Sequence, residues 1–132
     1  MIVLDASAVV EWLLQLAKAD AVETRAFSGA RSQPLHAPHL LDVEVAQALR
    51  RMVAAKQVAA SRAEQALEDL KDLSLIRYPH DWLLQRIWEL RHNLTAYDAT
   101  YIALAEALDR PLITCDRRIK DAPGHAARVE VI

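Results

Sequence analysis

The fold is decided by the opening stretch of the chain, MIVLDASAVVEWLL (residues 1–14). Its first four residues are apolar and lead directly to Asp5, which predicts a short buried strand that ends at this acid. The residues after Asp5 have helical spacing, with Val9, Val10, Leu13 and Leu14 on one side. A strand that leads into a helix is the repeating unit of α/β folds, so we expect the unit to recur.

The rest of the sequence continues this alternation, within a length that fits one domain spanning residues 1–132. Short apolar runs predict four further strands, which are Leu35–Ala37, Leu75–Arg77, Pro111–Thr114 and Arg128–Ile132. Longer stretches with helical character predict the helices Ala6–Leu16, Asp20–Phe27, His39–Ala55, Ser61–Leu73, Pro79–His92 and Tyr97–Leu108, with a helical turn after Asp116. Ser61 is the predicted N-cap of its helix, and Ser28–Pro34 is a predicted loop. The pattern predicts a parallel sheet with helices on both faces.

Composition excludes several classes of protein. The single cysteine, Cys115, excludes an internal disulfide and a zinc site with several cysteines. Only two glycines are present, so neither a dinucleotide-binding fingerprint nor a Walker A loop can exist. Pro38 lies between His36 and His39, which argues against regular zinc ligation by that pair.

Charge and hydropathy bear on partners and location. The formal net charge is −2, which counts mildly against a nucleic-acid partner, although local arginine clusters could still bind phosphates. Asp5 and Glu11 interrupt what would be the apolar core of a signal peptide. No apolar run approaches the roughly 20 residues of a membrane span. We therefore expect a cytoplasmic protein.

Two aspartates follow predicted strands. Asp5 ends the first strand and Asp116 ends the strand before the last. Ligands of open parallel sheets bind beyond the carboxyl ends of the strands, so both carboxylates point into one crevice if these strands are neighbours. Each aspartate could equally be the N-cap of the helix that follows it.

Two further acids could join this pair. Asp98 lies in the first turn of an almost wholly apolar helix, where a covered carboxylate needs a partner or a metal. With Thr95 it also resembles a capping pair at a helix N-terminus. Glu44 and Asp42 border opposite edges of the apolar stripe on their helix, and periodicity does not choose between them.

A cluster of these carboxylates has a chemical consequence. Carboxylates in one crevice repel each other, and burial raises their pKa values further, so divalent cations stabilise such a cluster. Hard cations such as Mg²⁺ and Mn²⁺ prefer oxygen ligands, and bound there they could activate a water for attack on a phosphoryl group. Ser7 and Thr114 carry hydroxyls close to the two strand-end aspartates, and could orient a carboxylate or act only as cap and strand residues.

Arginines lie close to two of the acids in the sequence. Arg117 and Arg118 follow Asp116 directly and could contact substrate phosphates, or form a solvated turn. Arg50 and Arg51 lie about two helical turns after the acids of their helix, and we expect both to be solvated.

Four segments together resemble the PIN-domain family, and within it the VapC-type toxins of bacterial toxin–antitoxin pairs. They are MIVLDASAVVEWLL, LLDVEVAQALRR, LTAYDATYIALAEAL and LITCDRRI, and they occur in family order from the first residues almost to the last. The resemblance implies that the metal-binding and catalytic acids are Asp5, Glu44 rather than Asp42, Asp98 and Asp116, with Ser7 and Thr114 as the supporting hydroxyls.

The resemblance also implies a fold, an activity and partners. It implies a PIN-like three-layer α/β fold with a parallel sheet of about five strands, and Mg²⁺- or Mn²⁺-dependent cleavage of RNA. It implies a homodimer held by helices early in the chain. It further implies a small VapB-type antitoxin that wraps the toxin and blocks the acidic crevice, in a heterotetramer or larger assembly. Trp12 could belong to the antitoxin groove, or be an ordinary core residue.

Two other classes of function remain open. A phosphatase of the haloacid-dehalogenase type also uses an aspartate after its first strand, but it needs a second aspartate two residues later, where this chain has Ser7. A non-catalytic PIN-like binding module would be favoured if one of the four acids were missing, and all four are present.

Overall fold

A computed structural model describes residues 1–28 and 33–132, so residues 29–32 of the predicted loop Ser28–Pro34 lie outside the described part. The strands are β1 (Ile2–Leu4), β2 (Leu35–Pro38), β3 (Leu75–Tyr78), β4 (Leu112–Thr114) and β5 (Val129–Val131). The helices are α1 (Ala6–Leu13), α2 (Ala19–Val22), α3 (Leu40–Ala54), α4 (Ala60–Asp72), α5 (Leu84–Glu89), α6 (Ala96–Leu108) and α7 (Arg117–Asp121). A π-helical turn (Glu23–Phe27) follows α2, and a 3₁₀ turn (Asp81–Leu83) precedes α5.

The five strands form one parallel sheet in the order β3-β2-β1-β4-β5. β1 lies at the centre, where Val3 pairs with His36 of β2 on one side and with Leu112 of β4 on the other. The chain runs outward from β1 to β3 and then crosses back to β4. This reversal makes the boundary between β1 and β4 a topological switch point, where open α/β sheets bind ligands.

Helices cover the sheet in two groups. α1, α3 and α4 contact one another, and α1 and α3 also contact strands of the sheet. α5 and α6 form the second group, in which α6 packs against β1, β2 and β4. Right-handed crossovers place the two groups on opposite faces, because the chain travels in opposite directions along the sheet before and after β3. The predicted three-layer fold with a five-stranded parallel sheet is confirmed.

The core lies where β1, β4 and α6 meet. All three residues of β1 and of β4 are buried. Every residue of α6 from Ala99 to Ala105 is buried as well, as its apolar sequence predicts. Among the described residues, none of the helices has the length and apolar character needed to cross a membrane.

Several predicted helix boundaries are wrong. α4 begins at Ala60 with Ala59 in the cap position, so Ser61 lies inside the first turn and its side chain caps nothing. The predicted helix from Pro79 to His92 is divided into the 3₁₀ turn and the short α5. α1 ends three residues early because Gln15 adopts a left-handed φ of 53°, which terminates the helix.

Candidate active site

Asp5 lies directly beyond β1 and is almost fully buried, with 4% of its surface exposed. Its Oδ1 accepts hydrogen bonds from the Ser7 hydroxyl at 2.6 Å and from the Ala8 N–H at 3.1 Å. Its Oδ2 accepts from the Thr114 hydroxyl at 2.5 Å. Burial raises the pKa of Asp5, and these three donors partly offset the increase. The carboxylate therefore caps α1 and also faces the switch point.

Two hydroxyls connect the ends of β1 and β4. Besides donating to Asp5, the Ser7 hydroxyl accepts from the Cys115 N–H at 2.9 Å, and the Thr114 hydroxyl accepts from the Asp116 N–H at 2.9 Å. Thr114 is fully buried. Because each hydroxyl bonds to groups on both strand ends, the network fixes Asp5 and Asp116 relative to each other.

Asp116 follows β4 and caps α7 through the Arg118 N–H, which lies 3.0 Å from Oδ1. The Arg118 side chain also binds the carboxylate, with Nε 3.1 Å from Oδ1 and Nη2 2.8 Å from Oδ2. These hydrogen bonds lower the pKa of Asp116. The Arg118 side chain is 88% exposed, although its guanidinium is paired with the Asp116 carboxylate. Arg117 is exposed.

Asp98 lies in the first turn of α6 and is half-buried. Its backbone N–H donates to the Thr95 hydroxyl at 3.2 Å, so Thr95 is the N-cap of the helix, as the sequence pattern indicates. Burial raises the pKa of the Asp98 carboxyl, and the negative charge of Asp116 raises it further. The charge of Asp116 therefore acts on the Asp98 carboxyl, as expected for two acids that line one crevice.

The two acids near the start of α3 have different environments. Asp42 forms an ion pair with Arg77 of β3, with Nε 2.7 Å from Oδ2 and Nη2 3.0 Å from Oδ1. Glu44 instead has a buried Oε1 beside the buried Tyr101 hydroxyl, and neither atom has a hydrogen bond of normal geometry among the described residues. Burial raises the pKa values of Glu44 and of Tyr101.

A crevice of about 200 Å³ unites all four predicted acids. They come from four different elements: the end of β1, α3, the start of α6 and the end of β4. The lining residues are Asp5, Ala6, Ser7, Glu44, Ala48, Arg51, Asp98, Tyr101, Asp116 and Ile119. Asp42, Arg117 and Arg118 are not part of this lining, and Thr114 lies behind it as a buried support.

Sequence reasoning missed two polar lining residues, Arg51 and Tyr101. Arg51 follows Glu44 by about two helical turns, and Tyr101 follows Asp98 by about one. Helical spacing from the predicted acids would therefore have identified both. A larger cleft of about 580 Å³ beside α4 contains Asp42 and Arg77. We place the site in the smaller crevice because acids from four elements meet there, which is not so in the larger cleft.

The donor set fits a hard cation better than a soft one. The crevice presents carboxylate, hydroxyl and phenol oxygens, and the buried Glu44 Oε1 lacks a protein partner among the described residues. No three His, Cys, Asp or Glu side chains in the described ranges form a ready metal-ligand group. The predicted weakness of a zinc site at His36 agrees with its surroundings, because its Nδ1 lies 2.7 Å from the Tyr78 hydroxyl and is hydrogen-bonded there.

Comparisons with known proteins match the whole chain. The model of the PIN domain family matches residues 2–124. Ribonuclease VapC9 of Mycobacterium tuberculosis is 43% identical over 132 residues, which cover 100% of this chain and 98% of the relative. Ribonuclease VapC1 of the same organism is 44% identical over 131 residues, with 98% and 96% covered. A crystal structure of the VapBC2 proteins of Rickettsia felis, bound to a DNA fragment from their promoter, superposes on this chain with a TM-score of 0.72. It shares 15% identity and covers 99% of this chain and 98% of its own, so it supports the fold alone.

Proposed function

The chain belongs to the PIN-domain family, in its VapC-type branch, and we propose that it is a metal-dependent endoribonuclease acting as a toxin. The observation that carries the proposal is the crevice in which Asp5, Glu44, Asp98 and Asp116 meet. The full-length relatives are named ribonucleases, which supports RNA as the substrate class. A phosphatase of the haloacid-dehalogenase type is disfavoured, because Ser7 occupies the required second aspartate position and donates to Asp5.

Mg²⁺ or Mn²⁺ is the proposed cofactor, and the four carboxylates are its proposed ligands. These carboxylates would hold the ion, which would supply activation of the attacking water and charge neutralisation at the scissile phosphodiester. Ser7 and Thr114 hold Asp5 in one orientation, which reduces the entropy lost when its carboxylate binds a ligand. The buried Glu44 Oε1 provides an acceptor that the described residues do not use.

The Arg118 side chain bonds to both oxygens of Asp116, so it would have to move aside for this carboxylate to hold a cation through both of them. The ion pair between Arg118 and Asp116 is exposed to solvent on the arginine side, so separating the two side chains costs little. A released Arg118 carries a positive charge at the rim of the site, where it could contact a substrate phosphate, and Arg117 beside it offers a second cation.

The proposal includes protein partners. A VapB-type antitoxin is the proposed inhibitor, supported by the VapBC2 pair whose toxin-like fold this chain shares. Trp12 stacks on Phe27 with ring centroids 4.3 Å apart and is only partly buried, so it can contribute apolar surface to a partner groove. We also propose a homodimer, its assembly with antitoxin into a heterotetramer or larger complex, and action in the cytoplasm, where RNA substrates are available.

The test is cleavage of total RNA by the purified, antitoxin-free chain in Mg²⁺ or Mn²⁺, repeated with EDTA and with Asp98→Asn. We expect metal-dependent cleavage that EDTA and the substitution abolish. If the folded, metal-loaded protein cuts no class of RNA, the proposal fails and a non-catalytic binding module becomes the better account.

A further inference from the structure

Arg50 and Arg51 are neighbours in α3, but they face different surroundings. Arg51 lines the acidic crevice together with Glu44 and Ala48. Arg50 lines a shallow groove between α3 and α4, and its Nε donates to Gln47 at 3.0 Å. Helical geometry explains the difference, since about 3.6 residues per turn put Arg51 on the Glu44 face and rotate Arg50 away from it by about 100°.

Arg51 has no fixed protein partner in the described ranges. No ion pair or side-chain hydrogen bond found there includes its guanidinium, whereas Arg77, Arg86 and Arg118 are each paired with a carboxylate. Arg51 is also exposed to solvent.

This arrangement addresses a problem that the acidic crevice creates for its substrate. An RNA backbone is a polyanion, and four carboxylates repel it. A cation on the crevice wall offsets that repulsion, and an arginine can bind phosphate oxygens with two parallel hydrogen bonds. Arg51 lies on α3, which follows β2 on one side of β1, whereas Asp116 follows β4 on the other side.

We propose that Arg51 binds a backbone phosphate of the RNA substrate adjacent to the scissile one, on the α3 side of the crevice. This inference rests on the proposed ribonuclease function. Arg117 and Arg118 lie beside Asp116 on the α7 side of the crevice. Together with Arg51 on the α3 side, they define a path for the substrate backbone across the carboxyl end of β1. Arg51 is a substrate-binding residue in this account, because it holds a flanking phosphate and leaves the reacting atoms to the carboxylates.

The test compares Arg51→Gln with the matched control Arg50→Gln, which removes the same charge one residue away. The substrate is a fluorescent single-stranded RNA oligonucleotide that the wild type cuts. We expect Arg51→Gln to raise KM by roughly ten-fold or more, the size of a lost charged hydrogen bond, with little change in kcat. Arg50→Gln should behave as the wild type, and Arg51→Lys should recover part of the loss because it keeps the charge.

Salt dependence supplies the readout that a purely structural role would not change. Binding of the oligonucleotide is measured by fluorescence anisotropy across a range of NaCl concentrations. Loss of one phosphate contact should reduce the slope of log K against log salt by about 0.7 for a single strand. Circular dichroism and thermal unfolding verify that each variant is folded.

Three outcomes overturn the inference. They are an Arg51→Gln variant with wild-type KM and salt slope, equal losses in Arg50→Gln and Arg51→Gln, and a fall in kcat alone with an unchanged slope. Failure of the proposed function is distinguishable, because it appears as a wild type that does not cut RNA. In that case the anisotropy comparison still measures the contribution of Arg51 to binding.

Discussion

At the residue scale, one carboxylate combines two roles that sequence patterns treat as alternatives. Asp5 caps α1 through the Ala8 N–H and also lines the acidic crevice. Asp116 does the same for α7 through the Arg118 N–H. The roles are compatible because the cap occupies one lone pair of Oδ1, and each carboxylate has about four lone-pair sites. A strand-end aspartate can therefore stabilise a helix and bind a ligand together.

This compatibility leads to a prediction for Asp5→Asn. The amide oxygen keeps the cap, because asparagine is as good an N-cap as aspartate. We expect loss of RNA cleavage but a free energy of unfolding within about 1 kcal/mol of the wild type in EDTA. Urea denaturation and the cleavage assay measure the two effects. An Asp5→Asn protein that does not fold would mean that the carboxylate is needed for structure.

The buried Glu44 carboxyl predicts a pH dependence of stability. Burial raises its pKa in the folded state, so the folded protein holds this proton more tightly than the unfolded chain does. The stability that this proton contributes is complete below the ordinary carboxyl pKa, and it is lost as the pH rises through the raised value. Glu44→Gln lacks this titration.

We therefore expect the wild type to become less stable relative to Glu44→Gln as the pH rises across that window. The measurement is urea denaturation of both proteins in EDTA at a series of pH values. Added Mn²⁺ should remove the penalty in the wild type at the upper end of the series, because the cation replaces the proton. A difference that stays constant with pH would show that Glu44 does not titrate abnormally.

At the element scale, the strands and α6 could be predicted because their signals are local. β1 is an unbroken apolar run, and α6 is apolar on nearly all sides, so each signal lies within its own residues. The choice between Asp42 and Glu44 could not be made this way. It depends on Arg77, which comes from β3 and pairs with Asp42, and no helical pattern encodes a partner 35 residues away.

Helix caps show the same limit. Ser61 and Thr95 both have sequence patterns typical of N-caps, yet only the Thr95 hydroxyl accepts a bond from its helix. We predict that Thr95→Ala lowers the free energy of unfolding by about 1 kcal/mol, whereas Ser61→Ala changes it by less than about 0.5 kcal/mol. Chemical denaturation of the two variants measures this. Equal losses would contradict the assignment of the α4 start to Ala60.

At the scale of the whole molecule, topology brings the acids together. The chain reverses its direction along the sheet beside β1, so the carboxyl ends of β1 and β4 are adjacent although 109 residues separate Asp5 from Thr114. α3 and α6, from opposite faces, add Glu44 and Asp98 at the same edge. The formal net charge of −2 does not describe this surface, where acids fill a crevice and arginines lie along its wall and rim.

The central claim is that the crevice acids, and not acids in general, perform the cleavage. The most direct test compares RNA cleavage by Glu44→Gln and Asp42→Asn in saturating Mg²⁺ or Mn²⁺. Each variant removes one negative charge from the first half of α3, but only Glu44 lies in the crevice. The account predicts that Glu44→Gln lowers kcat/KM by roughly a hundred-fold or more, while Asp42→Asn stays within a few-fold of the wild type. Equal activity in the two variants, or loss of cleavage only in Asp42→Asn, would contradict it.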